Sequence, residues 1–342
     1  MRVLKVAITG FGNVGRATAD LLLSRRERYR HLHGTEVRLV AVCGSSSGLF
    51  DADGLETDRL RALEKGLTGP DFIAASGAAV VIEAGPSDFR TGGPGFAYLR
   101  SALSDGRDAI VISKGALVHG GRDLRALARR SGALLKISGA AAAALPTLDL
   151  LEHGLLGCRV LKLEGILNAT TNYLLDAMTA RGIGFEEALR EARSGGFAEA
   201  DARDDIEGWD TAAKLLLIAN FGLGRDLAME DISVSGIQSV TGREIAAWRA
   251  NGLVPKLVAT LAEEGGVVRA EVRARTYRLT DPFAHVGGKG KAVRFTTDAM
   301  GETVAISTGA EPLATAAAAL KDLEHILIAR AEQGPRLGGP GA

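Results

Sequence analysis

The chain has 342 residues, 46% hydrophobic and 24% charged, with 41 Lys plus Arg set against 41 Asp plus Glu. That is the composition of a globular chain of about two domains, and zero net charge leaves no global field to draw nucleic acid or an anionic membrane, so neither is an expected partner. Cys43 and Cys158 are too few for a disulfide framework or a zinc site, and no metal ligand set is expected. No apolar run reaches the roughly 18 residues of a membrane span, and the opening MRVLKVAITGFG does not read as a signal peptide. A reducing, cytoplasmic setting is the expectation.

Residues 4–9 form a short apolar run that leads into Gly10, Phe11, Gly12, Asn13, Val14 and Gly15, and helical character follows over 16–23. Glycines at this spacing could mark a tight turn alone. Between a strand and a helix they read as a dinucleotide fingerprint: the first permits the turn, the second lets backbone approach a pyrophosphate, and the third lets helix and strand pack closely. The helix N-terminus then offers unpaired N–H groups to phosphate. The second strand, 37–42, runs into Cys43, Gly44, Ser45, Ser46 and Ser47, where an NAD-preferring site places an acid for the ribose 2'-hydroxyl. With no acid there, a 2'-phosphate meets no repulsion and can accept from Ser45 and Ser46. NADP or NAD is the expected cofactor, with NADP slightly favoured.

Further strands at 79–84, 109–113 and 134–137, with a helix around 96–104, complete an alternating pattern. The reading is α/β, a Rossmann-type doubly wound parallel sheet over 1–137. Ligands bind beyond the carboxyl ends of such strands, where Glu83 and Lys114 stand. Lys114 either projects over the nicotinamide crevice or simply caps a strand at the surface.

Asn168, Ala169, Thr170 and Thr171 fall between a strand ending near Leu167 and a helix starting near Asn172. Their hydroxyls and N–H groups either face a ligand or serve as ordinary N-caps. Further on, GGFAEADARDDIEGWDTAAKLLLIAN (195–220) sets six carboxylates between Glu199 and Asp210 ahead of an apolar helical run containing Lys214. A buried ammonium is costly unless partnered. Asp210, four residues earlier, shares the face of Lys214 in the favourable acid-first order. The plainer alternative is a solvated acidic cap with a lysine that snorkels to water. Residues 269–277 alternate Arg with Ala and Val, a strand with one solvated face. Lys289 and Lys291 read as solvated loop lysines, and a helix over 313–329 precedes the tail RLGGPGA.

Four of these segments, GFGNVG, RTGGPGFAYLRSALSDGRDAIVISKGAL (90–117), GILNATTNYLLDAM (165–178) and the 195–220 run, occur in an order that resembles homoserine dehydrogenase across most of the chain. That family interconverts L-homoserine and L-aspartate 4-semialdehyde with NAD(P), on the route to threonine and methionine. The resemblance implies that Lys114 is an active-site lysine. It places Glu199, Asp205, Asp210 and Lys214 among the substrate and catalytic residues, with Glu199 touching substrate and Asp205 holding its amino group. Asn168, Thr170 and Thr171 would line the substrate loop, and Glu311 would sit in a Gly-rich turn near the nicotinamide. It also implies a second, α+β catalytic and dimerisation domain over 138–310. Over 311–342 a C-terminal helix would return to the nucleotide domain and end in a flexible tail, and the chain would form a homodimer.

Oxidation of the alcohol needs a base for the hydroxyl proton, and reduction of the aldehyde needs the matching acid. A lysine serves both if its pKa falls from about 10.4. Lys114 and Lys214 are expected to act as each other's neighbouring cation, one moving the proton and the other polarising the oxygen, with Asp210 orienting Lys214. The sequence also departs from the family. In ISGAAAAALP (137–146), Ser138 stands near the family's acid and alanines replace glycines, which puts a monovalent-cation site in doubt; Lys291 stands for the usual Asn. Little chain follows the last helix, so feedback through a C-terminal regulatory domain is not expected. The competing readings are a related Rossmann oxidoreductase on another small amino-acid aldehyde or alcohol, and a non-catalytic NAD(P)-binding sensor. Retention of Lys114, Asp210 and Lys214 together speaks against the sensor.

Overall fold

Strand β1 (Arg2–Thr9) becomes fully buried along its second half, where Val6, Ala7 and Ile8 are inaccessible to solvent. Such burial on both faces is what a central strand of a doubly covered sheet requires. The computed structural model describes residues 1–61, 63–195, 198 and 201–332. The chain packs as two units, Met1–Ala144 with the chain from Glu311 onward, and Leu145–Ala310.

In the first unit β1 is joined by β2 (Thr35–Cys43), β3 (Gly48–Phe50), β4 (Val80–Glu83), β5 (Asp108–Val111) and β6 (Leu135–Lys136), in the order β3-β2-β1-β4-β5-β6. All neighbours are parallel except β3 on β2. Strand order reverses at β1, and a crevice opens beyond the carboxyl ends at such a point. Alternate residues of β1 serve opposite faces. Leu4, Val6 and Ile8 pack with Leu22, Leu323, Ile326 and Leu327 on one side, while Ala7 joins Val40, Phe72, Ile73 and Tyr98 on the other.

The C-terminal helix, Leu313–Glu332, runs three residues past its expected end. Two buried polar ties fix it to this unit. Arg330 Nε donates to Asp108 Oδ2 at 2.9 Å and its Nη2 to the Gly132 carbonyl at 3.0 Å. Asp322 accepts from the Ser138 backbone N at 2.9 Å and from its hydroxyl at 2.7 Å. Residues 138–144, which the resemblance places in the second domain, therefore pack in the first unit.

The second unit holds β7 (Val160–Ile166), β8 (Ile232–Val234), β9 (Leu253–Glu264), β10 (Val267–Arg278), β11 (Lys291–Thr297) and β12 (Glu302–Ser307), in the order β12-β11-β7-β9-β10-β8. Pairings are antiparallel except β8 on β10. Gly265 and Gly266, both at positive φ, supply the tight turn between β9 and β10, the geometry that two-residue hairpins favour. Pairing with β9 carries β10 beyond 269–277 at both ends. Helices Ala169–Arg181, Trp209–Leu217 and Gly242–Ala250 pack against β9, an α+β arrangement.

Candidate active site

At the end of β1 the backbone turns through Gly10 at φ +85°, where a Cβ would stand 2.3 Å from the Gly85 amide nitrogen. A Cβ on Gly15 would lie 2.1 Å from the Gly10 carbonyl oxygen. Only glycine fits at either place. Gly12 differs, because nothing lies within 4 Å of its missing side chain. It is also the N-cap of helix Asn13–Ser24, with no side-chain cap bond. An uncapped helix start facing open space suits a pyrophosphate, so the residues present fit a dinucleotide. Phe11 is buried with the Arg16 guanidinium 4.8 Å above its ring, Val14 is half-buried, and Asn13 is exposed.

Beyond β2, Ser45 and Ser46 are exposed. Ser47 forms an antiparallel bridge with Lys65, and the Gly48 amide donates to the Glu64 carbonyl at 3.0 Å. This pairing brings the exposed Lys65 beside the serines, a cation that sequence reasoning missed. Only the strand pairing reveals it. Lys114 occupies the N-cap position of helix Gly115–Ser131, and its backbone N donates to Ser87 Oγ at 3.0 Å. Glu311 is exposed at the start of the returning segment of this unit.

In the second unit the structure gathers Asn168, Thr170, Thr171, Asp205, Asp210 and Lys214. Asn168 is extended (φ −123°, ψ 122°) and caps helix Ala169–Arg181, its Oδ1 accepting from Thr171 N at 2.9 Å. The helix therefore begins at Ala169 rather than near Asn172, because this cap satisfies a first-turn donor. Thr170 and Thr171 are first-turn residues, not loop residues. The other end of the Asn168 amide reaches across, with Nδ2 donating to Asp205 Oδ1 at 2.6 Å and to Asp210 Oδ2 at 2.8 Å. Asp210 lies in the first turn of helix Trp209–Leu217, which starts after Gly208 at φ +92°. Lys214 Nζ donates to Asp210 Oδ2 at 2.7 Å and to the Leu167 carbonyl at 2.9 Å, and both charged side chains are only 13% exposed.

Burial pushes the Asp205 carboxyl up, the nearby Asp210 charge adds to this, and hydrogen bonds from Thr170 and Asn168 with the Lys214 charge oppose it. Two carboxyl groups against one ammonium leave this cluster inclined to accept a further cation. The rest of the acidic run divides as its exposure dictates. Asp201 pairs with Arg203 at 2.5 Å, which draws its carboxyl down to about 2. Asp204 and Glu207 are exposed. Glu199 lies outside the described residues.

A second polar group in this unit had no sequence signal. Lys256 is inaccessible to solvent, donating from Nζ to Asn172 Oδ1 at 2.9 Å and to the Val286 carbonyl at 2.6 Å. Asn172 Nδ2 donates in turn to the carbonyls of Val286, Gly288 and Gly290, while Asp176 accepts from Gly288 N at 2.9 Å. Burial pushes the Lys256 amine down. Lys289 is exposed as read, whereas Lys291 is buried at the start of β11, opposite Ser307 of β12. Among the described residues no helix is long and apolar enough to cross a membrane.

The family model for homoserine dehydrogenase matches residues 146–323, and that for the homoserine dehydrogenase NAD binding domain matches 10–137. The chain is 32% identical over 338 residues to a homoserine dehydrogenase of Methanocaldococcus jannaschii, covering 94% of this chain and 98% of that protein. It is 30% identical over 341 residues to an NAD(+)-dependent homoserine dehydrogenase of Pseudomonas canavaninivorans, covering 95% and 97%. Among solved structures, a putative homoserine dehydrogenase from Archaeoglobus fulgidus is similar at 32% identity and TM-score 0.86, covering 95% of this chain and 99% of that one. A homoserine dehydrogenase from Thiobacillus denitrificans is similar at 26% identity and TM-score 0.88, covering 99% and 76%.

Proposed function

The chain belongs to the homoserine dehydrogenase family, and we propose that it catalyses the reversible NAD(P)-dependent interconversion of L-homoserine and L-aspartate 4-semialdehyde. The observation that carries this reading is the cluster in which Asn168 joins Asp205 and Asp210 while Asp210 holds Lys214. Homoserine brings an ammonium, a carboxylate and a primary alcohol, and the cluster offers chemistry for each. Asp205 receives the ammonium, and an arriving cation offsets the burial and like charge that raise its carboxyl. The N–H groups of the first turn of helix Ala169–Arg181 that Asn168 does not cap suit the carboxylate, while the Thr171 hydroxyl braces Asn168 and that of Thr170 braces Asp205. Glu199 remains a proposed second substrate contact.

In the reductive direction the Lys214 ammonium, held in place by Asp210 and the Leu167 carbonyl, gives a proton to the aldehyde oxygen; in the oxidative direction the amine left by loss of that proton takes it back from the substrate hydroxyl. Lys114 is kept as a proposed active-site lysine. The bound nicotinamide supplies the acceptor or donor of the hydride. Gly10 to Gly15 and the first turn of helix Asn13–Ser24 would hold its pyrophosphate, and Glu311 is kept as a further contact. Ser45, Ser46 and Lys65 would hold a 2'-phosphate, which supports use of NADP beside NAD.

A cytoplasmic setting accords with two free thiols, Cys43 and Cys158. A homodimer accords with β12, an edge strand with a half-exposed Ile306; light scattering on the purified chain tests it. The activity is tested by following reduced nicotinamide with L-homoserine, NADP and NAD. Turnover with L-homoserine but not with the alcohol lacking its amino group is the expected result, and no turnover with any pair contradicts the reading.

A further inference from the structure

At the carboxyl end of β4 a carboxylate is buried between neutral donors. Glu83 is 1% exposed. Its Oε2 accepts from the Ser113 hydroxyl at 2.5 Å and its Oε1 from the Gly85 amide at 2.7 Å. The chain makes room for it, since a Cβ on Gly95 would stand 2.8 Å from Oε1. An apolar residue would fill this volume without the cost of burying an acid, so the carboxylate's use lies in what it joins.

It joins the ends of two neighbouring strands to the loop beside Lys114. Ser113 immediately precedes Lys114. Gly85 opens the loop that carries Ser87, whose Oγ accepts from the Lys114 backbone N at 3.0 Å. On the following side the same loop closes against Gly115, where a Cβ would stand 2.3 Å from the Asp88 amide nitrogen. Ser113 is thus tied to Glu83, the Lys114 amide is tied to Ser87, and Gly115 lies close against Asp88, in a loop whose first amide Glu83 holds.

We propose that Glu83 is a positioning residue for Lys114, fixing through Ser113 and the Gly85–Asp88 loop the point at which that lysine leaves the sheet. The proposal rests on the reading of Lys114 as an active-site lysine. A leucine in its place would fill the space and hold neither Ser113 nor Gly85. Glu83 itself need not touch substrate or cofactor.

The test compares Glu83→Gln, Ser113→Ala and the hydroxyl-retaining Ser113→Thr in the full chain. It reads kcat, KM for L-homoserine, NADPH affinity by fluorescence, and amide exchange of the peptide spanning 110–118. Misplacement of a reacting group by about an ångström costs about 10²-fold in rate. Ser113→Ala is therefore expected to lose about tenfold or more in kcat, with NADPH affinity within about threefold of wild type. Exchange should quicken within 110–118 and not across the sheet, and Ser113→Thr should recover most of the loss. Glu83→Gln, which keeps one acceptor oxygen for the two donors, should fall between them. Unchanged kcat and exchange in the folded Ala and Gln variants overturns the proposal, and so does a fall in NADPH affinity and global protection alongside kcat. If the wild type does not turn over homoserine, that defeats the functional reading; local quickening of 110–118 in the variants would still support the positioning of Lys114, and its absence would overturn it.

Discussion

Lys214 Nζ lies 2.7 Å from Asp210 Oδ2, one helical turn before it, and that same oxygen accepts from Asn168 at 2.8 Å. The ammonium, the bridging amide and the two carboxylates therefore behave as one unit. Asn168→Ala removes the N-cap, at a cost of about 1 kcal/mol, and leaves Asp205 and Asp210 without the donor between them. The expected outcome is a fall in denaturation midpoint together with a raised KM for L-homoserine, read by urea titration and steady-state kinetics. A change in stability alone would assign Asn168 to capping only.

Lys65, whose backbone bridges Ser47 next to the exposed Ser45 and Ser46, bears on cofactor choice. A charge-assisted bond to phosphate is worth about 1.5–3 kcal/mol, or roughly tenfold and more in affinity. Lys65→Ala is expected to weaken NADPH binding by about that factor and NADH binding by much less. Fluorescence titration with both nucleotides checks this, and equal losses would place Lys65 outside the 2'-phosphate site.

Asp322 is buried against Ser138, and burial pushes its carboxyl up from 3.8 to about 6, against the pull of Ser138 and the charges of Lys321 and Lys136. The folded chain holds this proton more tightly than the unfolded chain. Its stabilising contribution is therefore present below the unfolded value of 3.8 and is lost as pH rises through about 6. Between these limits wild type should lose about 2–3 kcal/mol more than Asp322→Asn, whose amide does not ionise. Denaturant titrations at both ends of the window measure the difference, and parallel curves would contradict it.

Ala143 carries φ +54°, the only positive value outside glycine among the described residues. An L side chain there costs about 1–3 kcal/mol, so Ala143→Gly is expected to raise the melting temperature even after the added chain entropy of glycine. A lower melting temperature would show that the alanine methyl groups' packing outweighs the strain.

What the sequence revealed was local. GFGNVG sits between adjacent elements, and Asp210 with Lys214 needs only the four-residue spacing of a helix, so both were legible. Asn168 was legible as a ligand-facing or capping residue, yet its bonds to Asp205 and Asp210 span 37 and 42 positions, and no periodicity encodes them. The same holds for Lys65 beside Ser47, and for Lys256, whose β9 position reads as apolar until Asn172 and the Val286 carbonyl supply its partners. The helix start near Asn172 was misplaced because Asn168 works in two directions, capping with its oxygen and bridging acids with its nitrogen.

The most direct test of the central claim is single-turnover oxidation of L-homoserine by wild type and by Lys214→Ala, with NADP affinity measured in parallel. The account predicts that the variant binds cofactor normally and loses about 10²–10⁴-fold in the hydride step, with part of the rate restored by added small amines. A variant that turns over at the wild-type rate would contradict it.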